Sequence, residues 1–147
     1  MKLGIASDHG GFQLKEELKE YLEESGLEII DYGTYSEESV DYPDYAFKLT
    51  DGVINGEVKY GIAICGTGVG ISIACNKVKG IRAAHCTDSY TARVIREHND
   101  ANIICLGGRI TGIEIAKDIL DNFIKSEFEA GRHKTRVDKI ISREKGE

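Results

Sequence analysis

Short apolar runs alternate along the chain with amphipathic segments, which is the pattern of strands followed by helices. Nearly every position in the strand candidates is apolar, as is typical of a parallel sheet covered by helices on both faces. We therefore expect one α/β domain over residues 1–147, with three α/β/α layers and a five-stranded parallel sheet. Strands are predicted over residues 2–6, 27–31, 60–65, 80–86 and 102–106, and helices over 12–24, about 42–54, about 70–76, about 88–96, about 112–128 and about 134–143.

Composition narrows the class of protein. The net charge of −6 argues against a nucleic-acid-binding protein, which would carry a basic surface. No apolar run is long enough to span a membrane, and the first residues do not resemble a signal peptide. The four cysteines form no CxxC pair, so neither a zinc site nor a dithiol redox motif is indicated. We interpret them as reduced thiols in a cytoplasmic protein.

Three of the predicted strands end in chemically unusual residues. These ends are SDHGG at residues 7–11, CGTGVG at 65–70 and GGR at 107–109. The carboxyl ends of parallel strands share one edge of the sheet, and ligands of open α/β sheets bind outside that edge. The sequence therefore predicts that the three segments surround one binding site.

The glycine-rich turn that begins with Cys65 is the most informative of these ends. Its backbone N–H groups can hold a phosphate or a developing oxyanion, and they favour the thiolate form of a cysteine. Ile71 stands where a P-loop needs lysine, a dinucleotide fingerprint needs glycine and a cysteine phosphatase needs arginine. A thiolate beside an anion hole, without those motifs, suits proton abstraction next to a carbonyl. The alternative is that the glycines only permit a tight turn and that Cys65 belongs to the core.

Two histidines are candidates for chemistry. His9 follows Asp8 at the predicted binding edge. His98 ends a helix antiparallel to the strands, so we expect it at the opposite edge, roughly 16 Å away for an 11-residue helix. A catalytic His98 would then have to come from a second subunit, which predicts a homodimer with shared sites. A lone histidine more commonly has a structural role, and His85 is expected beside the core.

Arginines could hold an anionic ligand. Arg109 follows the fifth strand, and Arg132 and Arg136 are four residues apart, on one helical face. Guanidinium groups suit phosphate oxygens, although each of these arginines could equally be a solvated surface residue. Residues 132–147 carry a formal charge of +3, so this end could supply cations to a ligand. Tyr42, which precedes the only proline, either lines the pocket or merely packs within the fold.

At these residues the sequence resembles the ribose-5-phosphate isomerase B family, which includes allose- and galactose-6-phosphate isomerases. The matching stretches run from one end of the chain to the other, and together they are highly specific. They are SDHGGF (7–12), DYPDYA (41–46), CGTGVGISIACNKVKGIRAA (65–84), ARVIREHNDANIICLGGR (92–109) and GRHKTRVDKI (131–140).

The resemblance implies a homodimeric or homotetrameric enzyme with a Rossmann-like sheet. It would interconvert ribose 5-phosphate and ribulose 5-phosphate through an enediolate, with no metal or other cofactor. By the same resemblance, Cys65 is the base, His98 assists ring opening as a proton donor, and Thr67 is the third catalytic residue. The enediolate would be held by Gly66, Thr67, Gly68, Val69 and Gly70. The sugar hydroxyls and phosphate would be bound by Asp8, His9, Tyr42, Asn99, Arg109, Arg132 and Arg136.

Some members of that family use a glutamate base, but the corresponding downstream segment, residues 69–73, carries no acid here. Cys65 is therefore the expected base. Three other functions stay open. An isomerase of six-carbon sugar phosphates would differ in relative turnover, and a sugar-phosphate sensor would bind without turnover. A thiol redox protein would form a disulfide, although no CxxC motif supports that reading.

Overall fold

The computed structural model describes all 147 residues and has five strands and six helices. A 3-10 turn at His9–Gly11 joins the first strand to the first helix. No helix is long and apolar enough to cross a membrane. The strands are β1 (Lys2–Ser7), β2 (Glu28–Asp31), β3 (Tyr60–Cys65), β4 (Ala83–His85) and β5 (Ile103–Gly107). The helices are α1 (Phe12–Glu24), α2 (Tyr42–Ile54), α3 (Val69–Cys75), α4 (Ser89–Glu97), α5 (Ile113–Lys125) and α6 (Arg132–Glu144).

All strands are parallel and lie in the order β2-β1-β3-β5-β4, which confirms the predicted five-stranded parallel sheet. The chain leaves β1 towards β2 and returns on the other side of β1 as β3. Strand order thus reverses between β1 and β3, and open α/β sheets have a crevice at such a point. Ser7 is in register with Ile64, and Cys65 with Gly107, so the three central strands end nearly level.

Helices cover both faces of the sheet, as the apolar strands predict. On one face, α1, α4 and α5 bury the larger core, with Phe123 of α5 fully buried. On the other face, α2 and α3 bury the smaller core, which includes Cys65, Cys75 and Cys105. Helix α6 is different, because Val137 is its only buried side chain and its Ile140 is 55% exposed.

Three predicted boundaries are wrong. Strand β4 begins at Ala83 rather than residue 80, because Gly80 has a φ of +89° and the Arg82 N–H donates to the Asn102 side chain. Helix α5 ends at Lys125 rather than near residue 128, because the backbone of Ser126 is extended. Helix α6 begins at Arg132, two residues before its predicted start.

The turn from α4 to β5 is held by two arginines. Arg96 is 5% exposed, and its Nη1 donates to the Asp100 carboxylate at 2.9 Å and to the Ala101 carbonyl at 2.6 Å. Arg82 donates to the Asp100 carbonyl and carboxylate. Asp100 itself has a φ of +49°, an uncommon conformation for a residue other than glycine. These bonds fix the position of His98 and Asn99 at the end of α4.

Arg96→Ala should therefore lower the free energy of unfolding by about 1–3 kcal/mol, because it leaves the buried Ala101 carbonyl without its donor. Arg93 is the matched control, since it forms an i,i+4 pair with Glu97 on the same helix but is 41% exposed. Arg93→Ala should cost about 0.5 kcal/mol or less. Urea unfolding of both variants measures the difference. Equal losses would mean that Arg96 does not hold the turn.

Candidate active site

The turn after Cys65 places a backbone N–H group within hydrogen-bond distance of the thiol. The N–H of Gly68 donates to Cys65 Sγ at 3.2 Å, and the N–H of Val69 donates to Thr67 Oγ1 at 3.2 Å. Cys65 is 5% exposed, whereas Thr67 and Val69 are exposed. The sulfur thus lies just below the surface, beneath a turn rich in N–H groups. Cys65 belongs to the smaller core and is also the last residue of β3, at the carboxyl edge of the sheet.

Gly68 is the residue that makes this turn possible. Its φ is +85°, in the region that favours glycine. A Cβ there would lie 2.7 Å from His85 Cδ2 and 2.8 Å from the Leu106 carbonyl carbon. Any side chain at this position would push the Gly68 N–H away from Cys65 Sγ.

The end of β1 lies directly beside this turn. The Asp8 carboxylate accepts hydrogen bonds from Gly10 N at 2.9 Å and Gly11 N at 3.2 Å, which caps the 3-10 turn. His9 Nδ1 accepts a hydrogen bond from the N–H of Val40 at 3.2 Å. Since Nδ1 is an acceptor, the proton of the neutral ring is on Nε2, which is free to donate to a ligand.

Arg109 and Tyr42 flank the Cys65 turn on two sides. A Cβ at Gly66 would lie 3.0 Å from Arg109 Nη1, so the guanidinium group reaches over that glycine. A Cβ at Gly70 would lie 2.8 Å from Tyr42 Cζ. The structure therefore brings together the sequence-predicted residues of this edge, which are Asp8, His9, Tyr42, Arg109 and the turn from Cys65 to Gly70.

His98 is not among them. It follows α4, which runs back from the carboxyl end of β4 to the start of β5, so it lies at the opposite edge of the sheet, as predicted. Its ring stacks on His133, with the centroids 4.1 Å apart and the planes 8° apart. Glu129 Oε1 is 3.6 Å from the Nε2 atom of each ring.

The side chains around His98 form a second group of candidate residues, and Arg132 and Arg136 belong to it together with His133. The pKa of His133 is lowered below its ordinary value, mainly by partial burial and also by the charges of His98 and Arg132. The ligand atoms of His98, Glu129 and His133 all lie within 4.8 Å of one another, which makes this the cluster that could hold a metal ion. Asn99 is exposed beside His98.

The prediction for His85 is wrong. It is exposed at the end of β4, where its ring lies against the Gly68 turn rather than beside the core.

Sequence reasoning also missed Glu129 and His133. Their i,i+4 spacing is visible in the sequence, but the contact with His98 spans more than 30 residues.

None of the three surface depressions of the isolated chain includes Cys65. The two largest, of about 450 and 400 Å³, lie along α1 and are lined mainly by glutamates. A third, of about 210 Å³, reaches Gly108 but not the thiol.

Comparisons with known proteins agree with one another. The model of the ribose/galactose isomerase family matches residues 3–140. Ribose-5-phosphate isomerase B of Escherichia coli is 49% identical over 141 residues, 96% of this chain and 95% of that protein. The structure of ribose-5-phosphate isomerase B from Clostridium thermocellum covers 99% of both chains at 58% identity, with a TM-score of 0.98. The enzyme from Mycoplasma genitalium, solved with bound ribulose 5-phosphate, superposes with a TM-score of 0.93 at 43% identity, covering 99% of this chain and 97% of that one.

The thiol environments predict selective alkylation of Cys65 by iodoacetamide. The sulfur of Cys65 accepts a hydrogen bond from a backbone N–H. The pKa of Cys86, in contrast, is raised to about 12, mainly by burial and also by the charge of Asp88. The pKa of Cys105 is also raised, by its hydrogen bond with Cys75 and by burial. Cys86 and Cys105 therefore stay protonated and unreactive at pH 8.

Mass spectrometry of tryptic peptides after a timed reaction measures the order of labelling. We expect Cys65 to be modified first in the folded protein, and all four cysteines to react in urea. Labelling of Cys86 or Cys105 ahead of Cys65 would contradict this description of the site.

Proposed function

The chain belongs to the ribose/galactose isomerase family, and we propose that it interconverts ribose 5-phosphate and ribulose 5-phosphate with Cys65 as the base. The observation that carries this assignment is the place of Cys65 Sγ, at the end of β3 and within 3.2 Å of the Gly68 N–H. A base beside preorganised amide donors suits a reaction that passes through an oxyanion.

The reaction moves one proton between adjacent carbons. The Cys65 thiolate takes the proton from C2 of the open-chain aldose, which leaves an enediolate and a neutral thiol. The thiol then returns the proton to C1, while a proton moves from O2 to O1, and the ketose results. Thr67 Oγ1 accepts the N–H of Val69, so its own O–H can serve the two sugar oxygens. The N–H groups of residues 66–70 stabilise the enediolate charge.

Four side chains of the same edge would orient the substrate. Asp8 and His9 contact the sugar hydroxyls, with the Nε2–H of His9 as a donor. Arg109 covers Gly66 and Tyr42 covers Gly70, so both limit where the ligand can lie over the turn. Fixing the reacting carbons against Cys65 Sγ lowers the entropic part of the barrier.

The remaining proposed residues come from a second copy of the chain. These residues lie at or near the opposite edge of the sheet, so they cannot face the Cys65 of their own chain. They are His98, Asn99, Arg132 and Arg136. In a homodimer, or a homotetramer built from such dimers, they would meet the partner's Cys65 turn. His98 would then donate the proton for ring opening, and the arginines would bind the phosphate. The exposed Ile140 of α6 supports such an interface.

The free thiols support a cytoplasmic location. All four cysteines are free, with none paired in a disulfide. Free thiols are typical of the reducing cytoplasm, where sugar phosphates are also metabolised, and we place the enzyme there. In this proposal residues 1–147 act as one isomerase domain.

Cys65→Ala should lower turnover by at least about 10³-fold, because it removes the proposed base. Ribose 5-phosphate should still bind, since the arginines and backbone amides are unchanged. Ketose formation with EDTA present measures turnover, and calorimetry measures binding. Cys75→Ala is the control, because Cys75 is a buried cysteine at the far end of α3 and has no proposed role in proton transfer, so the variant should keep most of the activity.

Near-normal turnover of Cys65→Ala would refute the base assignment. Because the family is that of the ribose and galactose isomerases, allose 6-phosphate and galactose 6-phosphate are tested beside ribose 5-phosphate. We expect the largest kcat/KM for ribose 5-phosphate. Binding without turnover of any of these would indicate a sugar-phosphate sensor.

Shared sites predict complementation between two inactive variants. Mixed subunits of Cys65→Ala and His98→Asn form one intact site in each heterodimer. Refolding an equal mixture should therefore restore about a quarter of wild-type activity, because half of the dimers are mixed and each has one working site. Each variant refolded alone is the control. A mixture no more active than its components would place both residues in one chain's site.

A further inference from the structure

Three side chains outside the Cys65 turn converge on one point at the end of α4. We propose that His98, Glu129 and His133 form a zinc site, and that zinc bound there inhibits the enzyme. The site itself is independent of the proposed isomerase function, whereas the inhibition rests on it, through the proposed role of His98.

The spacing of the ligand atoms is close to that of zinc ligands. With Zn–N and Zn–O distances of about 2.0–2.1 Å, tetrahedral ligand atoms lie about 3.3–3.4 Å apart. Glu129 Oε1 is 3.6 Å from His98 Nε2 and 3.6 Å from His133 Nε2. All three ligand atoms are within 4.8 Å of one another. A tilt that opens the stacked rings would let both Nε2 lone pairs meet one ion.

The three residues are held by different parts of the fold. His98 caps the end of α4, and His133 lies in the first turn of α6. The N–H of Glu129 donates to the Glu97 carbonyl at 3.0 Å, which ties the segment before α6 to the end of α4. The Glu129 carboxylate contacts these two imidazoles and no lysine or arginine, so no cationic side chain competes for it.

The donor set selects the kind of metal. Two imidazoles and one carboxylate suit zinc and similar transition ions, whereas magnesium and calcium prefer oxygen ligands throughout. The side chains of His98 and Glu129 are 37% and 54% exposed, so a fourth position is open to water. Arg132 and Arg136 add positive charge nearby, so the site should bind zinc reversibly and release it to EDTA.

Bound zinc would remove His98 from catalysis. Zinc occupies the Nε2 lone pair, so that nitrogen can no longer carry and donate a proton during ring opening. The ion would also add positive charge to the group that the proposed function places near the partner's Cys65 turn. The enzyme would thus be active without metal and slowed by zinc.

Calorimetric titration of the chelator-treated enzyme with zinc chloride tests the site directly. We expect one ion per chain in the wild type, in Cys65→Ser and in His85→Ala, an exposed histidine outside the cluster. His133→Ala should bind at least about tenfold more weakly, and Glu129→Gln, which keeps the side-chain shape, should also bind more weakly. Unchanged affinity in both cluster variants, or loss of binding in Cys65→Ser, would overturn the site.

Ketose formation in increasing zinc tests the inhibition separately. The half-inhibitory concentration should rise at least about tenfold in His133→Ala, measured against that variant's own zinc-free rate. Binding in the titration without inhibition of the wild type would overturn the inhibitory role and leave the site in place. An enzyme with no isomerase activity at all would refute the proposed function, while the titration would still decide whether zinc binds.

Discussion

Close backbone packing at the carboxyl edge of the sheet is the constraint on which the site depends. The ends of β1, β3 and β5 are joined by main-chain hydrogen bonds, including Asp8 N to the Ile64 carbonyl and Gly108 N to the Cys65 carbonyl. A Cβ at Gly108 would lie 2.5 Å from the Gly10 carbonyl oxygen, and one at Gly107 would lie 2.6 Å from that of Thr67. Three loops can approach this closely only because glycine stands at the contacts. The amide on Cys65 Sγ is therefore fixed before any ligand arrives, which is the arrangement that stabilises charge most effectively.

The direction of α4 imposes the second constraint. A helix between parallel strands must run back across the sheet, so the residue at its end cannot face the carboxyl edge of its own chain. Arg82 and Arg96 fix the following turn through Asp100 and Ala101. The chain consequently carries two groups of candidate site residues on opposite edges. In the proposed assembly each group completes the site of another copy.

The sequence predicts the order of the elements well, because apolar strands and helical spacing are local signals. It also predicts the edge at which each candidate lies, since parallel topology decides that for Cys65 and His98 alike. Local signals fail where a distant partner decides the outcome. The Asn102 side chain accepts a hydrogen bond from the N–H of Arg82, and this bond shortens β4. Arg96 is buried by the turn after α4, which the apolar periodicity of the sequence does not predict. Likewise, the Glu129 contact with His98 exists only because α6 folds back against the end of α4.

In the proposed assembly one chain holds the base and another holds the groups that act with it. The decisive measurement is specific isomerase activity through a dilution series, with sedimentation velocity at each concentration. Activity per chain should fall in parallel with the fraction of chains in dimers or larger assemblies. A monomer with full activity per chain would refute the shared site.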